Sequence, residues 1–126
     1  MKILLLEDEL MLQSSIYEYL DTLGYKVNCF SDGKDANDEL MKNQYDLLIL
    51  DINVPNIDGL NIIKNLHQNK TFTPTIFISA AVDIDTISTA FELGAVDYLK
   101  KPFHLKELEF RIQKEMLNIK NEKSKH

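Results

Sequence analysis

The chain is poor in residues that cross-link or punctuate a fold. It holds one cysteine, Cys29, in 126 residues. A single thiol makes neither an internal disulfide nor a zinc framework, and Cys29 reads as a small core residue. Only four glycines (Gly24, Gly33, Gly59, Gly94) and three prolines (Pro55, Pro74, Pro102) occur, all between periodic segments. Internal repeats and low-complexity stretches are lacking. Long hydrophobic runs are lacking too. Stretches such as Leu47–Leu50 and Ile76–Ile78 fall far below the roughly 20 residues of a spanning helix. Ile3–Leu6 is followed at once by Glu7, Asp8 and Glu9, which is no secretory leader. A cytoplasmic protein without a membrane partner is expected.

Basic residues are in deficit, 14 against 20 acidic, for a net charge of −6. That balance argues against broad nucleic-acid binding by this chain. The deficit is uneven: residues 1–99 carry 6 basic and 16 acidic side chains, residues 100–126 carry 8 and 4. The basic end reads as a solvated amphipathic helix with a frayed tail, the alternative being a docking face.

What is present suffices for one folded domain. Hydrophobic residues make up 44% and charged residues 27%, enough apolar surface to offset the entropy of ordering one core. Short apolar runs lie at Ile3–Leu6, Val27–Phe30, Leu47–Leu50, Thr75–Ile78 and Val96–Leu99. Helical spacing fills the gaps. Leu12, Ile16, Tyr19 and Leu23 make one face, closed by Gly24; Ile84, Ile87 and Phe91 make another, closed by Gly94. Leu105, Leu108, Ile112, Met116 and Ile119 mark a final helix, and residues 35–43 and 59–68 read as helices as well. Strands alternating with helices predict an α/β domain, a doubly wound (βα)5 fold on a five-stranded parallel sheet. Runs apolar at every position fit strands buried on both faces.

In such sheets ligands bind beyond the carboxyl ends of the strands. The residues there are Glu7-Asp8 after the first run, Asp51 after the third, Ser79 after the fourth and Lys100-Lys101-Pro102 after the fifth. Gathered together, the carboxylates repel by roughly 4 kcal/mol per pair at 4 Å and a dielectric of 20. Such a pocket either raises a carboxyl pKa or recruits a cation, and all-oxygen donors suit Mg²⁺. An EF-hand reading of Asp51-Ile-Asn53 fails because Pro55 stands at the third ligand position. With a metal, a lysine and a hydroxyl around it, Asp51 has the surroundings of a phosphoryl-accepting nucleophile. Each residue alone has a plainer reading: Asp51 as a loop cap, Glu7 and Asp8 as first-turn acids, Ser79 as a strand end, Tyr98 as a packed aromatic. His67, His104 and His126 have no partners at ligand spacing.

Five matches in order carry a resemblance: Glu7-Asp8, Asp51-Ile-Asn-Val-Pro-Asn-Ile-Asp-Gly59, Ser79-Ala80, Gly94-Ala95-Val-Asp-Tyr98 and Lys101-Pro102-Phe103. From Lys2 to about Leu117 the chain resembles the receiver domain of two-component response regulators. That resemblance implies the CheY-like, flavodoxin-like strand order 2-1-3-4-5. It implies a receiver over residues 1–119, with 120–126 a linker or disordered tail. Asp51 would accept a phosphoryl group from a sensor histidine kinase. Asp8, Asp51 and the backbone carbonyl of Asn53 would ligate Mg²⁺, with Glu7 acting through a water. Lys101 would contact the phosphoryl oxygens, Ser79 and Tyr98 would be the switch pair, and the Lys101–Pro102 bond would be cis. Tyr98 would turn from an exposed to a buried rotamer on phosphorylation. Departures are small: Glu7 stands where many relatives have Asp, and Val54 and Ile57 replace frequent methionines.

The run from Tyr98 to Ile112 resembles the OmpR/PhoB class, whose receivers dimerise through the fourth helix, fifth strand and fifth helix. Asp97, Glu107 and Arg111 match charged positions of that face. Ile87 replaces a usual basic residue and Phe110 a usual small one, so an apolar contact through Ile87, Phe91 and Phe110 would replace one salt bridge. The resemblance implies transcriptional output through a DNA-binding domain absent from this chain. A stand-alone receiver acting through protein contacts is the alternative. A Mg²⁺-dependent aspartyl phosphatase would want a carboxylate at the position of Asn53, and a pseudo-receiver would show a damaged site. The domain is expected to catalyse only its own phosphorylation and dephosphorylation.

Overall fold

Each apolar run becomes a strand, and neighbouring residues in it serve opposite faces of one sheet. A computed structural model describes residues 1–81 and 83–124. The elements are β1 (Lys2–Leu6), α1 (Leu10–Thr22), β2 (Lys26–Phe30), α2 (Gly33–Lys42), β3 (Leu47–Asp51), α3 (Gly59–Gln68), β4 (Thr75–Ser79), α4 (Ile84–Glu92), β5 (Asp97–Lys100) and α5 (Leu105–Ser124). All strand pairs are parallel, in the order β2-β1-β3-β4-β5, the doubly wound arrangement that the sequence predicts.

Two cores result, because side chains alternate across a strand. On one face Leu4, Leu6, Leu48, Leu50 and Phe77 meet Ala36 and Leu40 of α2, Ile62, Ile63 and Leu66 of α3, and Ala90 of α4. On the other Ile3, Leu5, Leu47, Ile49, Ile76, Ile78 and Leu99 meet Ile16 and Leu20 of α1 and Leu108 and Ile112 of α5. Cys29 is half-buried against the second core, and burial pushes its thiol pKa up.

Helix ends follow local chemistry. Asp32, Asp58 and Asp83 accept backbone N–H groups at the starts of α2, α3 and α4. Gly24 and Gly94 follow α1 and α4 with φ of +90° and +102°, the left-handed closure that glycine adopts without strain.

Three expectations shift. Leu20 rather than Leu23 completes the buried face of α1, since Leu23 caps the helix and is 41% exposed. Helix α4 buries only Ala90 and leaves Ile84 and Phe91 exposed. Helix α5 continues through residues 120–124, where a linker or tail is expected; Lys125 and His126 lie outside the described residues.

The α1–α5 contact has a polar tie. The Tyr19 hydroxyl donates to Glu109 Oε1 at 2.5 Å, and Glu109 is 8% exposed. The Glu109 carboxylate raises the Tyr19 pKa above 10, with burial adding to it. The bond's contribution is therefore present below pH 10 and lost as pH rises through the raised value. Tyr19→Phe is expected to lower the urea midpoint at neutral pH, because it removes a donor from a buried carboxylate.

Candidate functional site

Strands β1 and β3 are neighbours from which the chain departs in opposite directions, which opens a crevice at their carboxyl ends. Register places the residues there. Leu6 pairs with Leu50, so Glu7 comes level with Asp51; Asp51 pairs with Ile78, and Ser79 with Lys100. Glu7, Asp51, Ser79 and Lys101 thus converge from four strands far apart in sequence.

The Lys101 ammonium sits between two acids. Its Nζ lies 2.7 Å from Asp51 Oδ2 and 2.6 Å from Glu7 Oε1. The first contact is an aligned hydrogen bond. The second is an ion contact by distance alone, leaving the buried Glu7 Oε1 without a donor aimed at it. Glu7 is fully buried, and its other oxygen accepts the Glu9 N–H at 2.9 Å. Asp51 is 4% exposed, and its Oδ1 accepts the Asn53 N–H at 3.1 Å. Asp8 is exposed, yet oxygens of Glu7, Asp8 and Asp51 all lie within 4.8 Å of one another. One positive charge faces three carboxylates.

The titration of the pocket follows. Burial raises the Glu7 pKa despite the opposing pull of Lys101, and the Asp51 charge adds to the rise. Burial acts to lower the Lys101 pKa, but the hydrogen bond to Asp51 and the close negative charge of Glu7 outweigh it and hold the ammonium above its ordinary range.

On the β4 side, the fully buried Ser79 accepts the Ala81 N–H on its hydroxyl oxygen at 3.0 Å. Ala81 in turn offers its carbonyl to the Tyr98 hydroxyl, also at 3.0 Å. Tyr98 is already half-buried against the core, so the exposed rotamer expected from the resemblance is not the one adopted. An acceptor within reach at Ala81 accounts for that placement. The Lys101 N–H donates to the Ser79 carbonyl at 2.8 Å, and the Lys101–Pro102 bond is cis.

The residues expected on a dimer face lie away from this pocket, on α4, β5 and α5. Phe91 is 47% and Phe110 56% exposed, and Ile87 is half-buried. Asp97 and Arg111 approach to 3.3 Å within the chain, while Glu107 lies in the first turn of α5.

Sequence reading missed two supports of the pocket. The Gln13 amide donates to the Glu7 and Phe30 carbonyls and the Ser31 hydroxyl, lashing the ends of β1 and β2 to α1. Nothing in the sequence separates Gln13 from a solvated helix residue. Asp32 and Gly33 also hold the loop after Asp51, Asp32 accepting from the Asn56 amide and Gly33 donating to the Pro55 carbonyl. Asp32-Gly33 carries a turn signal in the sequence, but not its partner.

A family model for the response regulator receiver domain matches residues 3–113. The chain is 46% identical over 114 residues to the transcriptional regulatory protein CrdR of Helicobacter pylori, covering 90% of this chain and 54% of that protein. It is 40% identical over 112 residues to the transcriptional regulatory protein CiaR of Streptococcus pneumoniae, covering 89% and 50%. Among solved structures, the non-phosphorylated HemR receiver domain of Leptospira biflexa matches with a TM-score of 0.84 at 30% identity, covering 90% of this chain and 91% of that one. The chain thus spans about half the length of the curated relatives it matches. With five strands ordered 2-1-3-4-5 and an acidic crevice at the switch point, the chain belongs to the receiver domain family of two-component response regulators.

Proposed function

We propose that Asp51 is the phosphoacceptor of this receiver and takes its phosphoryl group from a sensor histidine kinase. The observation that carries this reading is the Lys101 ammonium, held 2.7 Å from Asp51 Oδ2 amid three carboxylates. In the transfer an Asp51 oxygen bonds to phosphorus while the P–N bond to the donor imidazole breaks. The leaving nitrogen keeps the electron pair and, once protonated, departs as neutral imidazole. A cavity of about 400 Å³, lined by Leu12, Ala80, Pro102 and Phe103, lies beside Lys101 and suits the approach of such a donor. The domain catalyses only its own phosphorylation and dephosphorylation.

Magnesium fits this pocket by charge and by donor type. Three carboxylates with one ammonium leave a negative excess, and Glu7 Oε1 is buried without an aimed donor. Hard oxygen donors at an edge open to water suit an ion that keeps part of its hydration shell. Asp8, Asp51 and the Asn53 carbonyl would hold it, with Glu7 through a water. Bound there, the ion supplies neutralising charge to the phosphoryl oxygens.

The phosphoryl group carries about −1.5 to −2 charges, in place of the single negative charge of the free carboxylate. The Asp51 carboxyl loses its own charge in the acyl phosphate, so Lys101 follows the negative charge out to the phosphoryl oxygens. The Ser79 hydroxyl, now an acceptor from Ala81, becomes a donor to the phosphoryl group. Because Ala81 also holds Tyr98, movement at the phosphate reaches β5 and the α4 face. A swing from 1:99 to 99:1 needs about 5.5 kcal/mol. Two or three charge-assisted hydrogen bonds, at roughly 1.5–3 kcal/mol each, supply that.

The α4-β5-α5 face is the output surface in this reading. Ile87, Phe91 and Phe110 form an apolar seam beside Asp97, Glu107 and Arg111, and a second phosphorylated copy covers it. The curated relatives are transcriptional regulators, and this receiver controls transcription through a DNA-binding domain of the whole protein. Among the described residues no helix is long and apolar enough to cross a membrane, in keeping with a cytoplasmic site of action.

Incubation with magnesium and a small acyl phosphate or phosphoramidate is expected to give a phospho-adduct in intact mass spectra. Asp51→Asn is expected to abolish it; an unchanged adduct in that variant would sink the assignment. Magnesium at 100 times its Kd is expected to stabilise the unphosphorylated protein by about 2.7 kcal/mol. Asp8→Asn should lose most of that gain in denaturant titrations. Sedimentation should show phosphate-dependent dimers in the parent chain and monomers in Phe110→Asp, whereas monomers throughout would remove the dimer from the reading.

A further inference from the structure

Seven residues, Ile52 to Asp58, join the strand that ends in Asp51 to α3. Asn53 lies among them and is exposed, tied by its N–H to Asp51 Oδ1 at 3.1 Å. The far half of this loop is held by another helix. Gly33, the first residue of α2, donates its N–H to the Pro55 carbonyl at 3.0 Å, an oxygen that also accepts the Ile57 N–H at 3.0 Å. The Asn56 amide donates to Asp32 Oδ2, while Asp32 Oδ1 accepts the Lys34 and Asp35 N–H groups at 2.8 and 3.3 Å. One carboxylate therefore both caps α2 and grips the loop.

Two backbone features show that this grip is built in. Asn56 has a φ of +72°, a left-handed conformation that few residues other than glycine, asparagine and aspartate adopt readily. Gly33 lies against the loop backbone so closely that any side chain there would overlap the Ile57 carbonyl. Ile52, Val54 and Ile57 add apolar anchorage to the same core that α2 enters.

We propose that Asp32, Gly33 and Asn56 are a clamp of positioning residues that holds the Asn53 carbonyl in place and so sets magnesium affinity from outside the pocket. The inference rests on the phosphoacceptor reading of Asp51. A carbonyl on a short loop is a good ligand only if the loop is already ordered, because ordering it at the moment of binding subtracts from affinity. The clamp supplies that order from α2, an element with no residue in the acidic cluster.

Two variants separate the clamp from plain stability. Asp32→Ser keeps an oxygen to cap α2 but is too short to reach Asn56. Asn56→Gly keeps the left-handed backbone and removes the amide. Calorimetric titration of the metal-free, unphosphorylated chain with magnesium chloride is expected to show each variant binding about three- to tenfold more weakly, the loss for one net hydrogen bond. The double variant should bind no more weakly than either single one, and thermal unfolding should show every variant folded. Affinities unchanged in both variants, or losses that multiply in the double variant, overturn the clamp while parent-chain binding keeps the pocket reading intact. Absence of magnesium binding by the parent chain overturns both.

Discussion

One ammonium between two buried carboxylates organises the working end of this domain. Glu7 and Asp51 end adjacent strands, and as two buried side chains they would repel without a cation between them. Lys101 comes from the far side of β4 to fill that place. Lys101 follows β5, the neighbour of β4, which ends in the small and fully buried Ser79. Its own N–H is fixed on the Ser79 carbonyl. The sheet order is therefore a condition for the ion pair. The pair is also incomplete: one ammonium does not balance three acids, and the pocket is left with an appetite for positive charge.

Coupling outward from this point runs through unequal helices. Helix α3 buries Gly59, Ile62, Ile63 and Leu66, whereas α4 buries Ala90 alone. Elements with little buried apolar surface are the ones that open or shift at low cost. Helix α4 also follows the loop in which Ala81 links Ser79 to Tyr98. Helix α4, which buries Ala90 alone, is thus the one that follows the Ser79–Ala81–Tyr98 link. The other face is braced more firmly, with Tyr19 bonded to Glu109 and Tyr25 to the Met116 sulfur at 3.1 Å. In the proposed reading, asymmetry of this kind directs a local charge change toward α4 and β5 and away from α1.

The loop after Asp51 belongs to two systems at once. Its first half touches the Asp51 carboxylate through Asn53, and its second half is fastened to the start of α2. Such a division lets a distant cap residue influence the pocket without entering it.

Much of this was legible beforehand. Strands apolar at every position, glycines closing α1 and α4, and a charged or hydroxyl residue at each inner strand end are local properties, written into short stretches of chain. They gave the sheet, its carboxyl edge and the residues to gather there. Other features were not legible, because they depend on partners distant in sequence. That Leu20 goes inward and Leu23 does not, that Tyr98 already leans on Ala81, and that Gln13 ties two strand ends all follow from which surfaces meet. Chain order and residue chemistry alone determined the α/β class and the identity of the acids, hydroxyl and lysine. Only the tertiary structure decided that Lys101 pairs with Glu7 as closely as with Asp51, and that Asp32 holds Asn56. These contacts join residues tens of positions apart, so their distances are set by the packing of the whole sheet and its helices.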